Sequence, residues 1–196
     1  MNVAILKYNA GNIYSVVNAV RRIGLEPIVT SDPEKLYNAT HVIFPGQGEA
    51  GTTMRYLQSK GLDTVIKSLT SPVLGICIGM QLMCRFSEEN STKCLGIFDI
   101  DVKRFIPTSQ TFKIPQMGWN EIYDLNSPLF NGIKENSFTY FIHSFYAPIC
   151  HETISKTDYI LPYSSALHKN NFYATQFHPE KSGSVGELIL KNFLSL

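Results

Sequence analysis

Long apolar runs are missing: nothing in the 196 residues approaches the roughly 20 that a bilayer span demands. Charge is scarce and balanced, with 17 Lys and Arg against 16 Asp and Glu. No basic field invites nucleic acid, and no acidic tract suggests a solvating tail. Cysteine is limited to Cys77, Cys84, Cys94 and Cys150, with no Cys-x-x-Cys pair and no histidines at zinc-ligand spacing beside them. Neither a disulfide framework nor a structural metal is expected. The glycine-rich "PGQGEAG" (45–51) lacks the Gly-Lys-Ser/Thr of a phosphate loop and the spacing of a dinucleotide fingerprint, so no cofactor is expected either. The opening "MNVAILKYNAGN" is apolar only over Val3–Leu6 and has no basic segment before it, which argues against a signal peptide and for the cytoplasm.

What is present is an alternation. Val3–Leu6 fits a strand buried on both faces. Ile13, Val16, Val17, Val20 and Ile23 then mark one face of a helix that stops at Gly24. "PIVT" (27–30), a short helical "PEKL" (33–36) and the strand "HVIF" (41–44) follow. Beyond the glycine-rich loop comes another helical stretch, and Pro72 resets the chain for a strand over Val73–Ile76. This spacing predicts an α/β fold, an open and mostly parallel sheet with helices on both faces. Between about Asp99 and Ala166, short aromatic and β-branched runs broken by Pro, Asn and Gly predict added antiparallel strands. "FYATQF" (172–177) reads as the last strand, and Val185, Leu188, Ile189, Phe193 and Leu196 as the apolar face of a closing helix. No repeat or linker interrupts residues 1–196, so a single domain is expected.

"VLGICIGMQLM" (73–83) ends a buried strand by turning on a thiol. "GICIG" (75–79) has the Gly-x-nucleophile-x-Gly form of a nucleophile elbow between strand and helix. A turn that sharp strains the nucleophile's backbone and crowds its neighbours, hence small flanking residues. Cys77 would sit at the amino terminus of a helix starting near Gly79, where unpaired N–H groups favour negative sulfur. The backbone N–H of Ile78 would be placed to bind an oxyanion. Taken alone, the pentapeptide fits a small buried hydrophobe equally well, and that is the reading for Cys84, Cys94 and Cys150.

"QFHPEKS" (176–182) offers a base, distant in sequence. Pro179 holds His178 extended. Residues two apart in an extended chain share a side, so Glu180 can reach the imidazole, fix its tautomer and support its charged form. For an isolated His-Pro-Glu, a surface histidine near a strand end remains the simpler reading. His41, His151 and His168, in loop-like or polar settings without a following carboxylate, are not expected to be catalytic.

With the elbow and "FHPE" about a hundred residues apart, the chain resembles the class I (triad) glutamine amidotransferases, and the likeness spans essentially its whole length. "YNAGNIYSV" (8–16), "PQMGWN" (115–120), "FIHSFYA" (141–147) and "QFHPEKSG" (176–183) narrow it to the branch serving histidine biosynthesis. The resemblance implies a flavodoxin-like fold, L-glutamine as substrate and a β/α-barrel cyclase as heterodimer partner. It makes Cys77 the nucleophile, His178 the acid and base, and Glu180 its orienter. The "PGQGE" loop becomes an oxyanion loop with a backbone amide at about Gln47 or Gly48. Gln81, Glu89 and the segment His143, Ser144 and Phe145 would grip the amino-acid end of glutamine. Asn12, Trp119, Tyr140 and Lys181 would face the partner.

Three positions depart from the family's usual residues: Gln47 (a small apolar residue), Gln116 (histidine) and Asn90 (glycine). Two other readings stay open. One is a glutaminase for another synthase or a paralogous pathway; the other is a free-standing cysteine peptidase or γ-glutamyl hydrolase using the same triad.

Overall fold

Alternation inside each short strand decides the layers. In β1 (Val3–Leu6), Val3 and Ile5 face one apolar cluster while Ala4 and Leu6 face another. β3 (His41–Phe44) repeats this, with Ile43 opposed to Val42 and Phe44. So does β4 (Val73–Ile76), with Leu74 and Ile76 opposed to Val73. Each strand therefore needs a helical layer on both sides. The computed structural model, which describes residues 1–8, 13–109 and 111–196, supplies them.

In chain order β1 leads to α1 (Tyr14–Arg22), β2 (Ile28–Thr30), α2 (Pro33–Tyr37), β3, α3 (Ala50–Ser59), α4 (Leu62–Ser68) and β4. The elbow then opens α5 (Ile78–Met83). β5 (Cys84–Ser87), β6 (Thr92–Lys93) and β7 (Phe98–Arg104) follow, then the hairpin β8 (Gln116–Ile122) and β9 (Ser137–His143), and β10 (Phe145–Tyr146). β11 (Thr153–Tyr159), β12 (Leu161–Lys169), β13 (Phe172–Thr175) and α6 (Gly183–Phe193) close the chain.

The main sheet runs β11-β12-β13-β4-β3-β1-β2. Its pairs from β13 to β2 are parallel, whereas β11 and β12 join antiparallel. The expected α/β sheet is what the chain forms. Val16, Val17 and Val20 of α1 share one layer with Ile189, Leu190 and Phe193 of α6. Leu36 of α2, Leu57 of α3, Ile66 of α4 and Met80 of α5 make the other. Burying a side chain such as Ile5 or Leu6 contributes about 1.5–3 kcal/mol. Among the described residues no helix is long and apolar enough to cross a membrane.

Several local expectations need correction. The stretch after the glycine-rich loop is two helices, because Gly61 takes a left-handed φ of 66° between them. The helix after the elbow starts at Ile78 rather than Gly79 and lasts only six residues before β5. The last strand ends at Thr175, short of Phe177. His41 is no loop residue: it opens β3 and is buried against the Phe193 ring.

Candidate active site

β3 and β4 lie side by side in parallel, so their carboxyl ends deliver the glycine-rich loop and the elbow to one place. Cys77 turns there with φ 50° and ψ −108°, a conformation that costs a non-glycine residue about 1–3 kcal/mol. The neighbourhood holds it. Its N–H donates to Thr175 O at 2.7 Å, which ties the elbow to β13. A Cβ on Gly79 would stand 2.5 Å from Phe44 O, and one on Gly46 would stand 2.3 Å from Ile76 O. The loop and the elbow therefore pack backbone on backbone, and only glycine fits at either contact.

β13 carries the chain out to His178, which is extended and whose N–H donates to Tyr140 O at 2.9 Å. The reach of Glu180 differs from expectation: Pro179–Lys181 form a single 3-10 turn, and that turn folds the carboxylate back. His178 Nδ1 meets Glu180 Oε1 at 2.7 Å, with both side chains buried. Nε2 is buried and has no hydrogen-bond partner among the described residues. Burial pulls this imidazole down, but the Cys77 charge and the Glu180 carboxylate outweigh it and push the pKa up to about 10. Cys77 Sγ lies 3.7 Å from Ile142 O and 3.7 Å from Gln176 Nε2.

These groups border a cavity of about 410 Å³. Cys77, His178, Gln47, Gly48, Ile78, Gln81, Glu89, His143, Ser144, Phe145 and Lys181 all reach it. Gln81 Nε2 donates to Phe145 O and to Gln176 Oε1, both at 3.0 Å, so the amide is fixed. Glu89 accepts from the Ala50 N–H at 2.7 Å at the start of α3, and burial pushes its carboxyl upward. The side chain of His143 is spent on structure. Burial pushes it down to about 4, so it is neutral, and Nδ1 donates to Phe145 O at 2.7 Å. Nε2 then accepts from the Tyr163 hydroxyl at 3.2 Å. That hydroxyl also meets the Gln116 amide at 3.0 Å. The atom it meets is Gln116 Oε1, an acceptor, so the single hydroxyl hydrogen is shared between His143 Nε2 and the Gln116 carbonyl oxygen.

Trp119 lies in β8, opposite Tyr140 of β9. Their rings meet edge to face with centroids 6.0 Å apart, and Lys181 Nζ lies 6.0 Å over the Tyr140 ring. Met117, Trp119 and Phe138 are each more than half exposed on the same face of the hairpin. Asn12 lies outside the described residues.

The sequence profile described as "Glutamine amidotransferase class-I" matches residues 4–196. The chain belongs to the class-I glutamine amidotransferases. Within that family it is 61% identical, over 196 residues and all of both chains, to the "Imidazole glycerol phosphate synthase subunit HisH" of Bacteroides thetaiotaomicron. The protein of the same description from Escherichia coli K12 is 43% identical, again over all of both chains. A solved glutamine amidotransferase superposes with a TM-score of 0.75 at 18% identity, covering 100% of this chain and 98% of its own. That last likeness bears on the fold alone.

Sequence reasoning overlooked three contacts of this amidotransferase site. Gln176 precedes His178 by two residues, and Ile142 precedes His143, so both lay inside quoted motifs. Tyr8 opens the quoted motif at 8–16, but its contact with the glycine-rich loop had no local signal: its hydroxyl lies 2.7 Å from both Pro45 O and Gln47 O, across 37 to 39 residues of sequence.

Proposed function

We propose that this chain is the glutaminase subunit of an imidazole glycerol phosphate synthase, passing ammonia to a β/α-barrel cyclase in histidine biosynthesis. The observation that carries the reading is the buried His178–Glu180 pair set against Cys77 at the elbow. Identity of 61% along the full length to a subunit so described supports it.

In this reading Cys77 Sγ attacks the carboxamide carbon of L-glutamine. The resulting oxyanion is held by the Ile78 N–H and by an amide of the loop at Gln47 or Gly48. Protonated His178 gives its Nε2 proton to the amine as ammonia leaves, and a thioester remains on Cys77. His178 then takes a proton from water, hydroxide attacks the thioester, and glutamate departs with the sulfur restored. Glu180 keeps Nδ1 protonated throughout. Gln81, Glu89 and the segment His143, Ser144 and Phe145 bind the amino-acid end. The exposed face of Trp119 and Tyr140, with Lys181 at its edge, docks the cyclase. That face runs on through Ile142, opposite Met117, to the cavity, which suits delivery of ammonia across the interface. The cytoplasm is the compartment this reading implies.

The test is steady-state glutaminase activity of the chain alone, with a histidine-pathway cyclase, and with cyclase plus its nucleotide substrate. The expected result is very slow turnover alone and a large rise in the complex. Full activity in the isolated chain would instead mark a free-standing hydrolase.

A further inference from the structure

Gln176 continues the line of β13 by one residue: its N–H donates to Ser165 O of β12 at 2.8 Å, and its side chain is fully buried. That sets its amide against the elbow, where Nε2 lies 3.7 Å from Cys77 Sγ. A chain of donors decides which way this amide points. Phe145 O is a backbone carbonyl and can only accept, so Gln81 must turn Nε2 towards it, at 3.0 Å. The other Nε2 hydrogen of Gln81 goes to Gln176 Oε1, also at 3.0 Å. With its oxygen turned to Gln81, Gln176 turns an N–H to the sulfur. Flipping either amide would set two donors or two acceptors face to face. The sulfur also faces Ile142 O at 3.7 Å. A thiol can give its hydrogen to that carbonyl, whereas a thiolate is repelled by it.

We propose that Gln176 is a further catalytic residue, whose Nε2–H donates to Cys77 Sγ and supports its negative charge, with Gln81 as the positioning residue that aims it. Only the kinetic part of the inference rests on the glutaminase reading. Cys77 is 8% exposed, so little water solvates a charge on it, and a hydrogen bond to a charged group is stronger than one between neutral groups. His178 carries the counter-charge. Gln176 adds a neutral donor that keeps its hydrogen throughout and meets the sulfur again as it leaves the thioester.

Gln176→Met keeps the length of the side chain and removes the donor. Loss of a hydrogen bond to a charged group shifts an equilibrium by about 10-fold or more. Alkylation of Cys77 by iodoacetamide at pH 7, followed on its own peptide, should slow by that factor, and the ultraviolet absorbance of the thiolate should fall. In the cyclase complex kcat with glutamine should drop similarly, with KM within about twofold and ammonia-driven synthesis unchanged. A purely structural role would raise KM or lower the folded fraction, and leave alkylation per folded molecule unchanged. Alkylation and thiolate absorbance equal to those of the unmodified chain overturn the proposal. Gln81→Leu frees the Gln176 amide to turn and should slow alkylation by a smaller factor; an unchanged rate there overturns the aiming role. The unmodified chain gives a measurement that needs no variant: a Gln176 side-chain amide proton should shift in the NMR spectrum when Cys77 is alkylated, and a resonance that stays in place overturns the donor. Slowed alkylation in Gln176→Met, with no glutaminase activity in the unmodified complex, counts against the glutaminase reading and leaves the donor standing.

Discussion

Two loops meet over the cavity, and they are held in different ways. The elbow after β4 is fixed by backbone: Cys77 N–H is tied to β13, Gly79 packs on Phe44 O, and Gly46, the first glycine of the loop after β3, packs on Ile76 O. Beyond Gly46, the loop after β3 is held by the Tyr8 phenol at Gln47 and at its far end by Glu49, whose carboxylate accepts from Gly51 and Thr52 N–H. Undoing the first arrangement means moving the sheet. Undoing the second means exchanging a few hydrogen bonds. Chemistry that must be ready belongs on the rigid element, and chemistry that must wait for a partner belongs on the adjustable one.

The largest expected effect is at the rigid side. Cys77→Ser should reduce glutamine-dependent synthesis to background while ammonia-driven synthesis by the cyclase complex persists, because only the first half-reaction needs the sulfur. Parallel assays with glutamine and with ammonium salt check this, and loss of both activities would make Cys77 structural.

Next in size, His178→Ala should cost roughly 10²–10⁴-fold in kcat, and Glu180→Gln less. Glu180→Gln should also change the pH profile. A histidine whose folded pKa is raised from 6.5 to about 10 keeps its proton, and the stability tied to it, below 6.5, and loses both as pH rises through about 10. Removing the Glu180 charge lowers the folded pKa, so the alkaline limb of kcat and of stability should both move to lower pH. An alkaline limb that stays in place would sever Glu180 from His178.

Much of the rigid side was legible in the sequence. β1, β3 and β4 fall on the residues that the apolar runs marked, because a strand buried on both faces leaves an unbroken run. The elbow was legible because its glycines are required by backbone contacts that no side chain could replace. Less of the adjustable side could be read. Tyr8 touches a loop 37 to 39 residues away, and nothing local in "KYNAG" announces that contact. The bounds of β8 were hard to read for a related reason: the strand is half exposed and needs burial only at its ends, Gln116 and Ile122.

A smaller effect separates the fixed backbone contacts from the adjustable hydrogen bonds by stability. Gly79→Ala and Gly46→Ala should each destabilise the chain by about 1–3 kcal/mol through overpacking against fixed carbonyls. Tyr8→Phe, which loses a hydroxyl and no packing, should cost about 0.5–1.5 kcal/mol. Urea unfolding midpoints compare them, and equal losses at all three positions would erase the contrast in rigidity.

The smallest expected effect lies at the far anchor of the adjustable loop. Asn90 has φ 51°, a left-handed conformation in which glycine is unstrained and asparagine is the next best tolerated. Asparagine therefore holds this backbone with little strain. Its Nδ2 also donates to Glu49 Oε1 at 2.6 Å. Partial burial raises the Glu49 pKa, but the bonds from Asn90, Gly51 and Thr52 outweigh that and bring it to about 2. A depressed carboxylate stabilises the fold above its unfolded value near 4.5, and the contribution is lost as pH falls through about 2. Asn90→Gly relieves the backbone but gives the unfolded chain more freedom and removes one of the bonds to Glu49. These changes oppose each other, so stability at pH 7 should shift by no more than about 0.5 kcal/mol. The Glu49 pKa should nonetheless rise towards 4.5, because Gly51 and Thr52 alone then hold the carboxylate. Side-chain NMR titration reads that rise directly, and a Glu49 pKa unmoved in Asn90→Gly would show that the helix terminus by itself anchors this end of the loop.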